Sequence, residues 1–170
     1  MGTFLGFVQL ENTLELPHLF RNSSDVPTDA TGTPAFRTYS PSGTMTLAGS
    51  ASAQTTFAIS GATNATPIVI TSTASVTTGI RVTVASVGGN TAANGTFTAT
   101  NLSSTTFSLD TSVGNGAYTS GGTWKVTGLY SFSIACTAAN GFEAGKTYSV
   151  IVEGTVSGSV VADQYSFTCV

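Results

Sequence analysis

The chain has 170 residues, 41% of them apolar and only 8% charged, with a formal net charge of −3. An average soluble domain is about one-quarter charged, so this composition suits neither an ordinary cytosolic enzyme nor a disordered tail. The five basic residues, Arg21, Arg37, Arg81, Lys125 and Lys146, are scattered, which argues against the basic stripe that nucleic-acid binding requires.

The length allows one ordinary domain or two small ones. No apolar run approaches the ~20 residues that a membrane-spanning helix needs, so no membrane partner is expected. Residues 1–10 contain Phe4, Leu5, Phe7 and Val8 without a positively charged start, and are read as a strand, not a signal peptide. Helical periodicity is nearly absent, whereas alternating apolar residues and turn signals recur throughout. The first block predicts strands at 4–10, 14–20, 35–39 and, more weakly, 44–47, with a turn at Pro41-Ser-Gly43. From about Ser60 to Val126 the texture is richer in Thr, Gly and Asn, with strands at 67–71, 79–86, 95–101, 105–110 and 122–126. The last block predicts strands at 128–136, 147–153 and 160–169, with turns at Asn140-Gly141 and Ser157-Gly158.

The expected fold is all-β. Residues 1–59 and 127–170 together have the size and strand number of an immunoglobulin-like sandwich, interrupted by a small β-barrel or sandwich module over 60–126. Insertion between two strands costs little when the two ends of the inserted segment lie close together.

Few residues suggest chemistry. His18 is the only histidine, and no nucleophile motif surrounds it, so it is read as a hydrogen-bonded strand residue. Glu11 with Glu15 and Asp25 with Asp29 are the acid pairs close in sequence, one across a turn and one in a Pro-containing loop. The loop from Asn22 to Asp29 offers oxygens to a hard cation but lacks EF-hand spacing, and the glycine-rich turns do not match a phosphate loop. No catalytic residue, metal or cofactor is therefore expected. Cys136 and Cys169 fall on the apolar faces of their strands, where they pack as small hydrophobes or form a disulfide. Trp124, Tyr118, Tyr39 and Tyr130 are the candidates for a glycan platform; Trp124 and Tyr130 follow the inward period, which leaves Tyr118, in a Gly-rich loop, as the possible exposed contact.

Two resemblances add to this. The motifs Gly61-Ala-Thr-Asn-Ala-Thr-Pro-Ile-Val-Ile-Thr71, Thr78-Gly-Ile-Arg-Val-Thr-Val84, Asn94-Gly-Thr-Phe-Thr-Ala-Thr100, Thr105-Thr-Phe-Ser-Leu-Asp110 and Gly114-Asn-Gly-Ala-Tyr-Thr-Ser-Gly-Gly-Thr123 follow one another in the inserted stretch. Together they resemble the small β module first described as a half-domain of ubiquitin-activating enzymes. That module recurs, without ubiquitin chemistry, in structural proteins of tailed phages. The outer motifs are Val26-Pro-Thr-Asp29, Pro34-Ala-Phe-Arg-Thr-Tyr-Ser-Pro-Ser-Gly43, Thr127-Gly-Leu-Tyr-Ser-Phe-Ser133 and Phe142-Glu-Ala-Gly-Lys-Thr-Tyr148. These resemble immunoglobulin-like domains of phage virion proteins.

The combination implies a non-enzymatic virion protein, assembled in the bacterial cytoplasm, with capsid decoration (cement) as the leading role. A neck or tail accessory, or a receptor- or glycan-binding module on the particle, is the alternative. The implied partners are the major capsid protein or neck and tail subunits, together with further copies in a homo-oligomer or symmetric array. The sandwich is expected to anchor and the inserted module to project.

Overall fold

The structure, a computed structural model, describes residues 2–170. It is all-β, a sandwich interrupted by a closed barrel. Thirteen strands follow in chain order. They are β1 (Thr3–Val8), β2 (Asn12–Leu19), β3 (Thr31–Tyr39), β4 (Met45–Ser50), β5 (Phe57–Ala62), β6 (Ile68–Ser72) and β7 (Arg81–Ala85). After these come β8 (Gly95–Asn101), β9 (Thr106–Leu109), β10 (Thr123–Val126), β11 (Leu129–Cys136), β12 (Thr147–Val156) and β13 (Ser159–Cys169). The chain packs into two compact units, one running up to Ala53 and resuming at Gly128–Val170, the other spanning Gln54–Thr127. The second unit thus begins ahead of Ser60, where the sequence reading starts the module, because residues 57–62 form a barrel strand.

In the first unit a five-stranded sheet, ordered β1-β13-β12-β3-β4, faces a two-stranded sheet of β11 and β2. Strict alternation builds these strands. In β11 Tyr130, Phe132, Ile134 and Cys136 are buried while Leu129 and Ser133 face solvent, and in β12 Tyr148, Val150 and Val152 point inward. The two inner faces meet through Phe36 and Phe132, whose rings cross edge-to-face with centroids 6.2 Å apart. Phe142, Tyr148 and Phe167 form a second aromatic cluster. Each fully buried Phe contributes roughly 1.5–3 kcal/mol of transfer free energy.

Pro17 shows how one edge is protected. It lies opposite Ser131, whose carbonyl points away from β2 and accepts from the Ser52 N–H at 2.9 Å. Pro17 and Ser131 are therefore a non-hydrogen-bonded pair, and the position without an N–H faces the open side of β2.

One edge of the larger sheet is β1, which runs parallel to β13. Phe4 pairs with Ser166 and Phe7 with Thr168, so three steps on β1 match two on β13, with Gly6 at φ +106° inside this bulge. In a regular strand Phe4 and Phe7 would point to opposite faces; the extra residue puts both on the outer face, while Leu5 and Val8 pack against the core.

The second unit is a closed antiparallel barrel of six strands, ordered β10-β5-β6-β9-β8-β7. Ile68, Ile70, Val82, Ala99, Phe107, Leu109 and Trp124 fill its interior, while Thr96, Thr98 and Thr123 line its outside. Buried hydroxyls close gaps between strands. Trp124 Nε1 donates to Ser72 Oγ at 2.9 Å, and Ser72 Oγ donates to the Ala58 carbonyl at 2.9 Å. Ser112 Oγ accepts from the Ile68 N–H at 2.9 Å and donates to the Leu109 carbonyl at 2.6 Å. At one end Asn90, wholly buried, donates to the Thr63 carbonyl at 2.8 Å and accepts from the Asn115 N–H at 3.1 Å. Each polar group inside the barrel thereby keeps the partner that makes its burial tolerable.

Candidate functional site

In the first unit two titratable side chains, Asp163 and Tyr165, lie against His18. Inward alternation along β2 (Leu14, Leu16, His18) places the imidazole against β13, with its ring edge-on to Phe20 at a centroid distance of 4.4 Å. Nδ1 lies 2.6 Å from the Tyr165 hydroxyl, and Nε2 lies 3.5 Å from Asp163 Oδ2. The His18 side chain is 4% exposed and that of Asp163 56%. The carboxylate favours the proton on Nε2, which leaves Nδ1 to accept from Tyr165. At 3.5 Å the Nε2–Asp163 contact is too long for a good hydrogen bond, so Nε2 is buried without a hydrogen-bonding partner.

Burial lowers the His18 pKa below its ordinary value, and the Asp163 charge opposes this only in part. Burial, reinforced by the same carboxylate, raises the Tyr165 pKa. A neutral imidazole and a protonated phenol make this a fixed hydrogen bond between the two sheets, not an activated nucleophile. The sequence reading of His18 as a hydrogen-bonded strand residue agrees with this geometry. Its partner was not legible, because Tyr165 lies 147 residues away.

This arrangement predicts a pH dependence. The unfolded chain protonates His18 near pH 6.5, whereas the folded chain does so only at lower pH. Below about pH 6.5 the unfolded state therefore holds more protons, and stability falls as pH drops through that window. Above it the contribution is fully present. Urea unfolding between pH 7.5 and 5.5 is expected to show a slope of up to about 1.4 kcal/mol per pH unit from this group. The slope is expected to flatten in His18→Gln, and an equal slope in the variant would assign it elsewhere.

The other sequence candidates serve the fold. Glu15 accepts from the Ser131 and Ser133 hydroxyls, and Glu11 accepts from the Ala138 N–H. Asn22 Oδ1 accepts from the Ser24 and Val26 N–H groups, so residues 22–26 form an Asx turn, and Arg21 forms an exposed ion pair with Asp25 inside it. Asp29 Oδ1 accepts from the Gly128 N–H at 2.7 Å. Among the described residues no three of His, Cys, Asp and Glu are grouped as a metal ion would need.

Cys136 and Cys169 are free and buried. Burial, with Cys169 adding to it, pushes the Cys136 thiol up to about 11, which keeps it in the unreactive thiol form.

The aromatic candidates do not assemble into a platform. Trp124 and Tyr130 are core residues of different units, as their period implies. Tyr118, read as an exposed contact, is instead half-buried against the barrel core. Its hydroxyl lies 3.2 Å from the Ile59 carbonyl and 3.0 Å from that of Gly121, closing the loop onto β5. Tyr39 is half-buried in β3.

The most exposed aromatic surface is on β1, where Phe4 is 52% and Phe7 72% exposed. Their rings meet edge-to-face with centroids 5.8 Å apart. No protein-family model matches this chain, and no curated protein matches it.

Proposed function

We propose that this protein is a structural, non-enzymatic component of a tailed-phage particle, and that its position is on the shell as a decoration protein. The observation that carries this reading is the architecture: a seven-stranded sandwich interrupted by a closed six-stranded barrel, the combination that the two sequence resemblances imply. Surface chemistry supports it. The outside of the barrel presents hydroxyls with few charges, a surface suited to fixed packing between neighbouring subunits. The exposed aromatic pair on β1 offers an apolar contact at a sheet edge. Each contact with the major capsid protein would add about 25 cal/mol per Å² of apolar area buried, and shell symmetry repeats that gain at every copy.

The test is the copy number of this polypeptide in purified particles, measured by quantitative mass spectrometry against the major capsid protein. Decoration of the shell gives hundreds of copies. A dozen or so would place it at the neck or tail, and absence from particles would overturn the virion reading.

A further inference from the structure

β1 is the terminal strand of the five-stranded sheet and pairs within it only with β13. We infer that two copies of this chain associate through antiparallel pairing of β1 with its two-fold mate, joining the two five-stranded sheets edge to edge. The register follows from the bulge. With the two-fold axis between Leu5 and Gly6, Phe4 of one copy stands opposite Phe7 of the other, and Thr3 opposite Val8. Opposite residues in an antiparallel pair share a face, so all four Phe rings fall on the outer face of the joined sheet. The Phe4–Phe7 contact at 5.8 Å already forms half of that cluster in one copy. Leu5 and Val8, turned toward the core, stay on the inner face. The bulge at Gly6, which would be a fault in a regular edge, is what makes this register possible.

Charge favours a second copy as the occupant. The chain carries 8 acids against 5 bases, so copies repel weakly at long range. Between Gly2 and Leu10 there is no ionisable side chain, and a copy of the same edge meets no like charge there. Two of the guards against edge pairing, Lys and Pro, are missing from β1, whereas β2 carries Pro17. The inference concerns the purified chain alone and does not depend on the virion reading.

Sedimentation velocity of the purified protein over a range from micromolar to several hundred micromolar tests it. The expected species are the 17.2 kDa chain and a particle of twice that mass. Phe4→Lys/Phe7→Lys is expected to weaken association at least tenfold. Phe4→Lys/Phe7→Glu, which sets opposite charges against each other in this register only, is expected to associate more tightly than the doubly cationic variant. Leu102→Lys, at an exposed barrel position, is expected to leave association unchanged. Circular dichroism checks that each variant is folded, as the exposure of both Phe residues implies. A wild-type chain that stays monomeric at every concentration would overturn the inference, even if particles then lose the Phe variants, which would assign the edge to another subunit. A dimer indifferent to both Phe4/Phe7 variants, or equally weakened by Leu102→Lys, would overturn it as well.

Discussion

Trp124→Ala is expected to lower the stability of the barrel by about 3–5 kcal/mol, the usual cost of removing a large aromatic from a packed interior. Trp124 is 2% exposed, its ring packs against Phe57 and Phe107, and its Nε1 donates to Ser72 Oγ. Truncation removes the ring contacts and at the same time leaves the Ser72 hydroxyl without its indole donor. A small barrel has little stability in reserve, so the loss takes it close to unfolding at 25 °C. Hydrogen exchange distinguishes this from a general collapse: amides of β5 to β10 are expected to lose protection while those of β12 and β13 keep theirs. Trp124→Phe retains most of the packing and loses the indole hydrogen bond, so it is expected to cost markedly less. Equal losses for the two variants would show that ring volume matters little at this position.

Gly89→Ala is the second large effect. Gly89 has φ +78°, and a Cβ there would stand 2.0 Å from the Ala117 carbonyl oxygen and 2.9 Å from the Thr119 backbone nitrogen. Neither atom can yield without moving a loop that is already hydrogen-bonded in place. Gly88 donates to the Ser120 carbonyl, and the Thr119 N–H donates to Gly88 in return. The expected result is a loss of more than about 3 kcal/mol, beyond the roughly 1–2 kcal/mol that left-handed backbone strain alone costs. Gly79→Ala separates the two contributions, because Gly79 has φ +89° and nothing within 4 Å of the added carbon. Urea unfolding followed by the fluorescence of Trp124, the only tryptophan, reads both variants. Similar midpoints for the two would rule out the steric argument and leave backbone strain alone.

Much of the fold was legible because these strands alternate cleanly. Tyr130, Phe132, Ile134 and Cys136 announce β11, and Ile68 and Ile70 announce β6, with turns marked by glycine and asparagine. The barrel strand β5 was not legible. Its inward residues Phe57 and Ile59 sit in a run of Ala, Ser, Gln and Thr with no turn signal ahead of them. β4 likewise continues to Ser50, past the point where its apolar pattern fades, because β3 holds it in register as far as Ala35 opposite Ser50. Tertiary pairing, not local propensity, extends both strands.

The site-level differences have the same origin. Tyr118 reads as exposed from its Gly-rich surroundings, yet two carbonyls, one of them 59 residues away in sequence, hold its hydroxyl. The exposure of Phe4 and Phe7 depends on a bulge that only the pairing with β13 reveals. Sequence periodicity identifies a strand's faces, but not an extra residue inserted into its ladder.

The topology also orders the birth of the molecule. Every strand of the barrel lies in one continuous stretch, Gln54–Thr127, so that unit holds all of its partners once the ribosome has passed Thr127. The sandwich does not. β2 must wait for β11, β3 must wait for β12, and β1 must wait for β13, the last strand made. The middle of the chain can therefore mature first, while the first fifty or so residues remain an unsatisfied template until synthesis is almost complete. A nascent chain that has emerged as far as Thr127 would carry a finished barrel, preceded by an open hairpin of β3 and β4 and an unpaired β1. In the completed chain β13 closes that interval by pairing with β1.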